Sequence, residues 1–219
     1  MFGIPFPFLS SLLIIAMIVI VVWFAVGTQR NIRKGNDLLT WLQAGLPALG
    51  KRTRLKWLGS SAVQLNIVEP NDPFREAEVV AVLEPRDIGL LWALARARRR
   101  RDFVILRGRL SRSPRYELEA GDLRGWTGQD GLRKLDPEAW LSADWGEESL
   151  RVLHVADADV DGAREAWRTL AEASGGVWRL SIRRTPPHLE VHVLLPDITS
   201  VGADRLVEAF RNLGRVVIS

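Results

Sequence analysis

The clearest pattern along the chain is an N-terminal stretch without charge. No charged residue precedes Arg30, and residues 12–26 contain no polar side chain. A helix in a soluble core keeps one polar face, so a stretch that is apolar all round is typical of a membrane span. A helix over residues 6–27 would be about 33 Å long, which matches a hydrocarbon core of about 30 Å. We therefore predict a transmembrane anchor in residues 1–29.

The pattern becomes amphipathic directly after the anchor. Leu38, Leu42 and Leu46 recur at four-residue spacing, which places them on one face of a helix. Trp41 widens this apolar stripe. Residues 30–50 are therefore predicted to contain a juxtamembrane amphipathic helix. It either packs under the soluble domain or lies in the lipid headgroup layer.

Alternation with a period of two begins near Arg54 and predicts strands. Val63, Leu65 and Ile67 alternate with polar residues. A helix is expected from residue 88 to about residue 98, and further strands follow it. Residues 51–123 are thus predicted to form an α+β domain. Residues 124–149 combine glycines with three tryptophans, which predicts a linker docked on the rest of the protein.

The last part of the chain, residues 150–219, predicts a ferredoxin-like domain. Six elements follow in the order strand, helix, strand, strand, helix, strand: 151–156, 160–173, 177–183, 189–195, 203–213 and 215–218. This βαββαβ order gives an antiparallel sheet with both helices on one face and the other face open. The predicted fold class is α+β: one transmembrane helix, a middle α+β domain and a C-terminal ferredoxin-like domain.

Three short strings resemble uncharacterised single-span membrane proteins of archaea and some bacteria. They are Trp57-Leu58-Gly59-Ser60-Ser61, Glu84-Pro85-Arg86-Asp87 and Arg184-Thr185-Pro186-Pro187-His188-Leu189-Glu190. The resemblance covers most of the soluble chain and carries no assigned activity, so no site residue is transferred from it. What it implies is a location in a prokaryotic cell membrane.

The positions of the cations orient the predicted span. Seven cations lie in residues 30–56, against the single acid Asp37. Lys and Arg beside a span stay on the cytoplasmic side, so the N-terminus is expected outside and the soluble domains in the cytoplasm. The alternative is a cleaved signal peptide, since Ala25 and Gly27 are small residues at the spacing that a signal peptidase reads, but the usual basic N-terminal region is missing. The absence of cysteine fits a reducing compartment.

A cluster of arginines follows the predicted middle helix and exceeds what the helix dipole requires. With a net charge of +4, the chain suits anionic lipid, and nucleic acid is the second alternative. RNA binding is disfavoured because the strand predicted at 189–195 carries no aromatic residue for base stacking. The predicted membrane-surface residues are Arg96, Arg98, Arg99, Arg100, Arg101 and Trp41.

Histidines on the open sheet face give a separate hypothesis, a site that binds a metal or a small ligand. Alternation places His188, Glu190 and His192 on that face, and His154 lies in the first predicted strand. If the first and third strands are adjacent, these four side chains converge. Two histidines and a carboxylate can hold zinc. The alternative is a solvated sheet face without any cofactor.

The sequence carries no motif of a known enzyme class. A nucleophile elbow, a phosphate-binding glycine loop and a zinc-protease helix motif are all missing from it. The sequence therefore disfavours enzymatic activity but does not decide the question. We expect a docking, self-association or scaffolding role at the inner face of the membrane, with the lipid bilayer and an unidentified protein or a second copy as partners.

Overall fold

The predicted span and the predicted amphipathic helix are parts of one helix. The computed structural model describes residues 6–133, 135–136 and 139–219. Its first helix, α1 (Phe6–Leu42), is uninterrupted and about 55 Å long at about 1.5 Å per residue. Within the described residues it is the one helix long and apolar enough to cross a membrane. Its side chains at 12–26 are exposed, whereas Leu38 and Leu42 are buried in the core.

Tertiary packing explains why α1 continues through its two glycines. A Cβ on Gly27 would lie 2.2 Å from the carbonyl oxygen of Arg86, and one on Gly35 would lie 2.5 Å from the Trp57 ring. Each close approach requires glycine, which otherwise destabilises a helix by about 1 kcal/mol. The two glycines therefore join the anchor to the domain without a flexible break.

Shorter helices and strands make up the rest of the described chain. The helices are α2 (Leu46–Leu49), α3 (Gly89–Ala97), α4 (Trp126–Arg133), α5 (Val160–Glu172) and α6 (Ala203–Val216). The strands are β1 (Gly50–Trp57), β2 (Ala62–Pro70), β3 (Phe74–Val82), β4 (Phe103–Leu110), β5 (Leu118–Asp122), β6 (Leu141–Ala143), β7 (Leu150–His154), β8 (Val177–Ile182) and β9 (Leu189–Leu194).

These strands form one antiparallel sheet. Their order is β1-β2-β3-β4-β9-β8-β5-β7-β6. Strand β4 pairs with β9, and β5 lies between β8 and β7. Strands from residues 51–123 and from residues 150–219 therefore share a sheet, which makes the fold a mixed α+β one with a long apolar N-terminal helix.

The strand order does not confirm the ferredoxin-like arrangement. Its first and third strands would be β7 and β9, and these are separated by β5 and β8. The strand predicted at 215–218 is also wrong, because α6 extends to Val216. Leu206, Phe210, Leu213 and Val217 are all buried at the spacing of one helix face. Burial of this helix face outweighs the strand propensity of the β-branched residues at the end of the chain.

The two faces of the sheet differ in character. Helices α1, α5 and α6 cover one face, where Leu106, Leu180 and Val191 belong to the main hydrophobic core. On the opposite face a small apolar cluster contains Phe103 and Trp178, and most of the other side chains at the centre of the sheet are charged. We call this opposite side the polar face.

Candidate functional site

Helix α3 packs against α1 where the apolar stretch of α1 ends. The Trp23 indole N–H donates to the carbonyl oxygen of Arg86 at 3.1 Å. The ring centroids of Trp23 and Trp92 lie 6.2 Å apart, and Gly27 lets the backbone of Arg86 approach α1 directly. Helix α3 is therefore held beside the last turns of the candidate span.

A buried polar cluster stabilises this contact. Asn31 donates to the Glu84 carbonyl oxygen at 3.1 Å and accepts from Arg86 at 3.2 Å. Asp102 accepts from both terminal nitrogens of Arg86, at 3.0 and 2.9 Å, and pairs with Lys34. Burial opposes ionisation of Asp102, but hydrogen bonds from Arg86 and Lys34 outweigh it and lower the pKa of the carboxyl. We call these five residues the Asp102 cluster.

Helix α3 presents an apolar face to its surroundings. Leu90 is 72% exposed, and Ile88, Leu91 and Leu94 are each nearly half exposed. Of its nine residues only Ala95 is buried. An exposed apolar helix face beside a candidate span is the arrangement of an interfacial helix. Leucines at this spacing fit a protein core equally well, so the sequence alone did not identify this surface.

The five arginines near the end of α3 divide into two groups. Two of them stack on tryptophan rings, with centroid distances of 5.4 Å for Arg96 on Trp92 and 3.9 Å for Arg100 on Trp126. The other three are exposed, and no acidic residue in the described chain forms an ion pair with them: Arg98, Arg99 and Arg101. These three are available to an external anion.

Trp41 does not belong to this surface. It is 8% exposed, and its indole N–H donates to the carbonyl oxygen of Val201 at 2.6 Å. Its predicted place in the headgroup layer is therefore wrong, because α1 continues into the core and carries Leu38, Trp41 and Leu42 onto the sheet. The structure shows the other predicted arrangement, in which the apolar stripe packs under the domain.

Charges of opposite sign alternate across the central strands of the polar face. Glu190 on β9 accepts from Arg107 on β4 and from Arg179 on β8, each at 2.6 Å. The fully buried Glu119 on β5 accepts from Arg179 and, at 2.6 Å, from Arg183. Cross-strand register brings these residues together. We call these five residues the polar-face network.

The two ends of the polar-face network differ in how accessible they are to solvent. Helix α4 covers one end, where a Cβ on Gly131 would lie 2.4 Å from Arg179 Nε and 2.5 Å from Glu119 Oε1. At the other end a groove of about 670 Å³ is open, and Glu78, Arg107 and Glu190 are among its lining residues. The polar face therefore offers one accessible surface with both signs of charge.

The network controls the protonation of its acid and of a neighbouring histidine. Burial opposes ionisation of Glu190, but a 3.0 Å hydrogen bond with His192 and the charges of Arg107 and Arg179 lower its pKa to about 2. Burial also lowers the pKa of His192. The imidazole is therefore neutral near pH 7, and its Nε2–H donates to Glu190.

Acidification is expected to destabilise the fold. The folded pKa of Glu190, about 2, lies below its ordinary 4.5, so its stabilising effect is present above pH 4.5 and lost as the pH falls toward 2. Protonation of His192 also lowers the free energy of unfolding as the pH falls, because the pKa of His192 in the folded protein lies below its ordinary 6.5. The free energy of unfolding of the full chain in detergent should fall from pH 7 to pH 3. Below pH 5 the unfolding free energy of Glu190→Gln should depend less steeply on pH than that of the parent protein. An equally steep dependence would contradict the contribution of Glu190.

The predicted zinc site is not formed. It required β7 and β9 to be adjacent, whereas two strands separate His154 from His188 and His192. The Nδ1 atom of His188 accepts from the Leu110 N–H at 3.0 Å, and Glu190 is bound by two arginines. In residues 6–133, 135–136 and 139–219, no three His, Cys, Asp or Glu side chains are placed to hold a metal ion.

The fold and its candidate surfaces define an α+β protein with one apolar helix that is long enough to span a membrane. No protein-family model and no curated protein matches the sequence. The resemblance to single-span prokaryotic membrane proteins therefore stays a prediction. Evidence on function comes from two surfaces of the molecule, the α1–α3 contact with its arginines and the polar face.

Proposed function

We propose that this chain is a non-enzymatic, membrane-anchored protein that docks a partner protein or a second copy of itself at the cytoplasmic side of the membrane. The apolar part of α1 crosses the bilayer, and α3 lies beside it at the boundary between headgroups and acyl chains, with its apolar face toward the chains. The observation that carries this proposal is the exposed apolar face of α3, held next to the end of the span by Trp23 and Gly27.

Energetics favour lipid as the environment of α3. Transfer of an exposed leucine side chain out of water contributes about 1.5–3 kcal/mol, and α3 exposes Leu90, Leu91 and Leu94. Each basic residue near anionic headgroups contributes about 1 kcal/mol, and exposed arginines follow α3 directly. Trp23 matches the aromatic residues that mark the ends of membrane spans.

The polar face supports the docking role. Three helices cover the opposite face, while the groove beside Glu78, Arg107 and Glu190 is open. Charges of alternating sign give a partner a directional pattern to match, which increases specificity more than affinity. Nucleic acid remains the alternative partner of the exposed arginines, because phosphate groups would bind them in the same way.

Single-cysteine variants test the position of α3, since the chain has no cysteine of its own. In the full chain in lipid nanodiscs, a spin label on Leu90→Cys should be accessible to oxygen and protected from a water-soluble nickel chelate, because it lies among lipid chains. The matched control is Leu141→Cys on the edge strand β6, where the leucine is 54% exposed. Its label should show the reverse pattern.

The same control reports the orientation. A membrane-impermeant maleimide should modify Leu141→Cys only after the cells are permeabilised. Modification in intact cells would overturn the cytoplasmic location. Equal contact of both spin labels with the nickel chelate would overturn the lipid position of α3, and the exposed arginines would then favour nucleic acid.

A further inference from the structure

A lateral pocket of about 660 Å³ lies between α1 and α3. The part nearer the N-terminus of α1 is apolar, with Val19 and Val22 on one side and the rings of Trp23 and Trp92 among its walls. In the proposed membrane position this part lies within the hydrocarbon region. Its shape and chemistry suit an acyl chain.

The other end of the pocket is cationic. Arg30, Lys34 and Arg86 line it, and none of the lining residues is acidic. Lys34 and Arg86 are paired with Asp102. Arg30 is exposed and forms no ion pair with any residue that the structure describes. Arg30 therefore places an unmatched positive charge at the mouth of an apolar pocket.

The change from apolar to cationic occurs along a single face of α1. Val19, Val22, Val26 and Arg30 follow one another at spacings of three or four residues, which is one side of a helix. The step from Val26 to Arg30 corresponds to about 6 Å along the axis. A lipid changes from acyl chain to phosphate over a similarly short distance. The apolar and cationic parts of the pocket therefore follow one another in the same order as the acyl chain and phosphate of a lipid.

We propose that this pocket binds one anionic phospholipid of the bilayer, with its phosphate at Arg30 and an acyl chain along residues 19–26. The proposal rests on the membrane position of α1 and α3 given above. A guanidinium group suits this ligand because it can donate two parallel hydrogen bonds to phosphate oxygens. Bound lipid would also fill the space between α1 and α3 and so stabilise their contact.

Thermal unfolding of the full chain in a neutral detergent tests this proposal. A ligand that binds only the folded state raises the melting temperature. Phosphatidylglycerol should raise it more than phosphatidylcholine with the same acyl chains, because only the former has net negative charge. Inorganic phosphate and glycerol phosphate should leave it unchanged, because they lack the acyl chain.

Two variants with the same charge change separate the pocket from general surface electrostatics. Arg30→Gln should weaken the apparent affinity for phosphatidylglycerol by about tenfold or more. Arg33→Gln removes an exposed arginine one turn away that does not line the pocket, and it should keep the parent affinity. Val22→Trp fills the apolar end without a change of charge, and it should weaken the binding of phosphatidylglycerol as well.

Three outcomes would overturn the pocket: equal losses in Arg30→Gln and Arg33→Gln, equal effects of the two lipids, or full stabilisation by inorganic phosphate alone. The last outcome would indicate a site for free phosphate. The label on Leu90→Cys separates the two proposals. A label among lipids without lipid selectivity overturns the pocket alone, whereas a label in water overturns the membrane position and the pocket with it.

Discussion

The Glu119→Ala variant is expected to lose about 3–5 kcal/mol of unfolding free energy, the usual cost of removing one partner of a buried ion pair. Glu119 is fully buried and accepts from both Arg179 and Arg183. Among the described residues, its removal leaves the largely buried Arg183 without a carboxylate partner, while Arg179 loses one of its two and keeps Glu190. Glu119→Gln should lose less, because the amide oxygen can still accept one of these hydrogen bonds.

Urea unfolding of the full chain in detergent, followed by tryptophan fluorescence, measures this loss. The matched control is Glu165→Ala on α5, which removes the carboxylate of an exposed pair with Arg168, where the side chains are 63% and 67% exposed. That change should cost less than about 1 kcal/mol. Equal losses in Glu119→Ala and Glu165→Ala would contradict a stabilising role for the buried network.

The apolar end of α1 could be predicted from sequence, but its continuity could not. A stretch without charge identifies a lipid-facing helix without any knowledge of its neighbours. The polar turns between residues 28 and 36 have no such pattern. They are fixed by long-range contacts, such as the hydrogen bond from Asn31 to Glu84 and the packing of Gly35 on Trp57. Hydrophobic periodicity alone does not contain this information.

The C-terminal region shows where local patterns fail. The β-branched residues at 216–218 favour a strand, but Val217 completes a buried helix face with Leu213. The alternation of residues 178–183 predicts Trp178, together with Leu180 and Ile182, on the helix-covered face. A bulge between Val177 and Arg179 shifts the alternation, and Trp178 packs on the polar face against Phe103. A bulge adds one residue to a strand, and the alternation of apolar and polar residues in the sequence does not show where such a residue lies.

The polar face could be predicted in part. Alternation along residues 177–183 and 189–195 predicts Arg179 and Glu190 on the same face of the sheet, and the two side chains form an ion pair at 2.6 Å. Their further partners Arg107 and Glu119 come from β4 and β5, which lie in residues 51–123, where the sequence predicts a separate domain. Cross-strand register and strand order are set by tertiary packing. The sequence therefore indicated charged residues on a sheet face but not the network that they form.

The Asp102→Ala variant is expected to separate α3 from α1 and to lose about 3–5 kcal/mol of unfolding free energy. Asp102 is buried and accepts from Arg86 and the Glu84 N–H, besides its ion pair with Lys34. Without it, Arg86 loses the carboxylate that fixes the start of the α3 segment against Asn31. A spin label on Leu90→Cys should therefore become more mobile in addition to the loss of stability.

The control for this prediction is Glu76→Ala, which removes the carboxylate of an exposed pair with Arg109 on the sheet. It should change the unfolding free energy by less than about 1 kcal/mol and leave the Leu90 label unchanged. Asp102→Asn keeps an acceptor for the Glu84 N–H but loses the charge. Its loss of unfolding free energy should therefore lie between those of Glu76→Ala and Asp102→Ala. A stable Asp102→Ala protein with an unchanged label would show that Trp23 and Gly27 hold α3 without the Asp102 cluster.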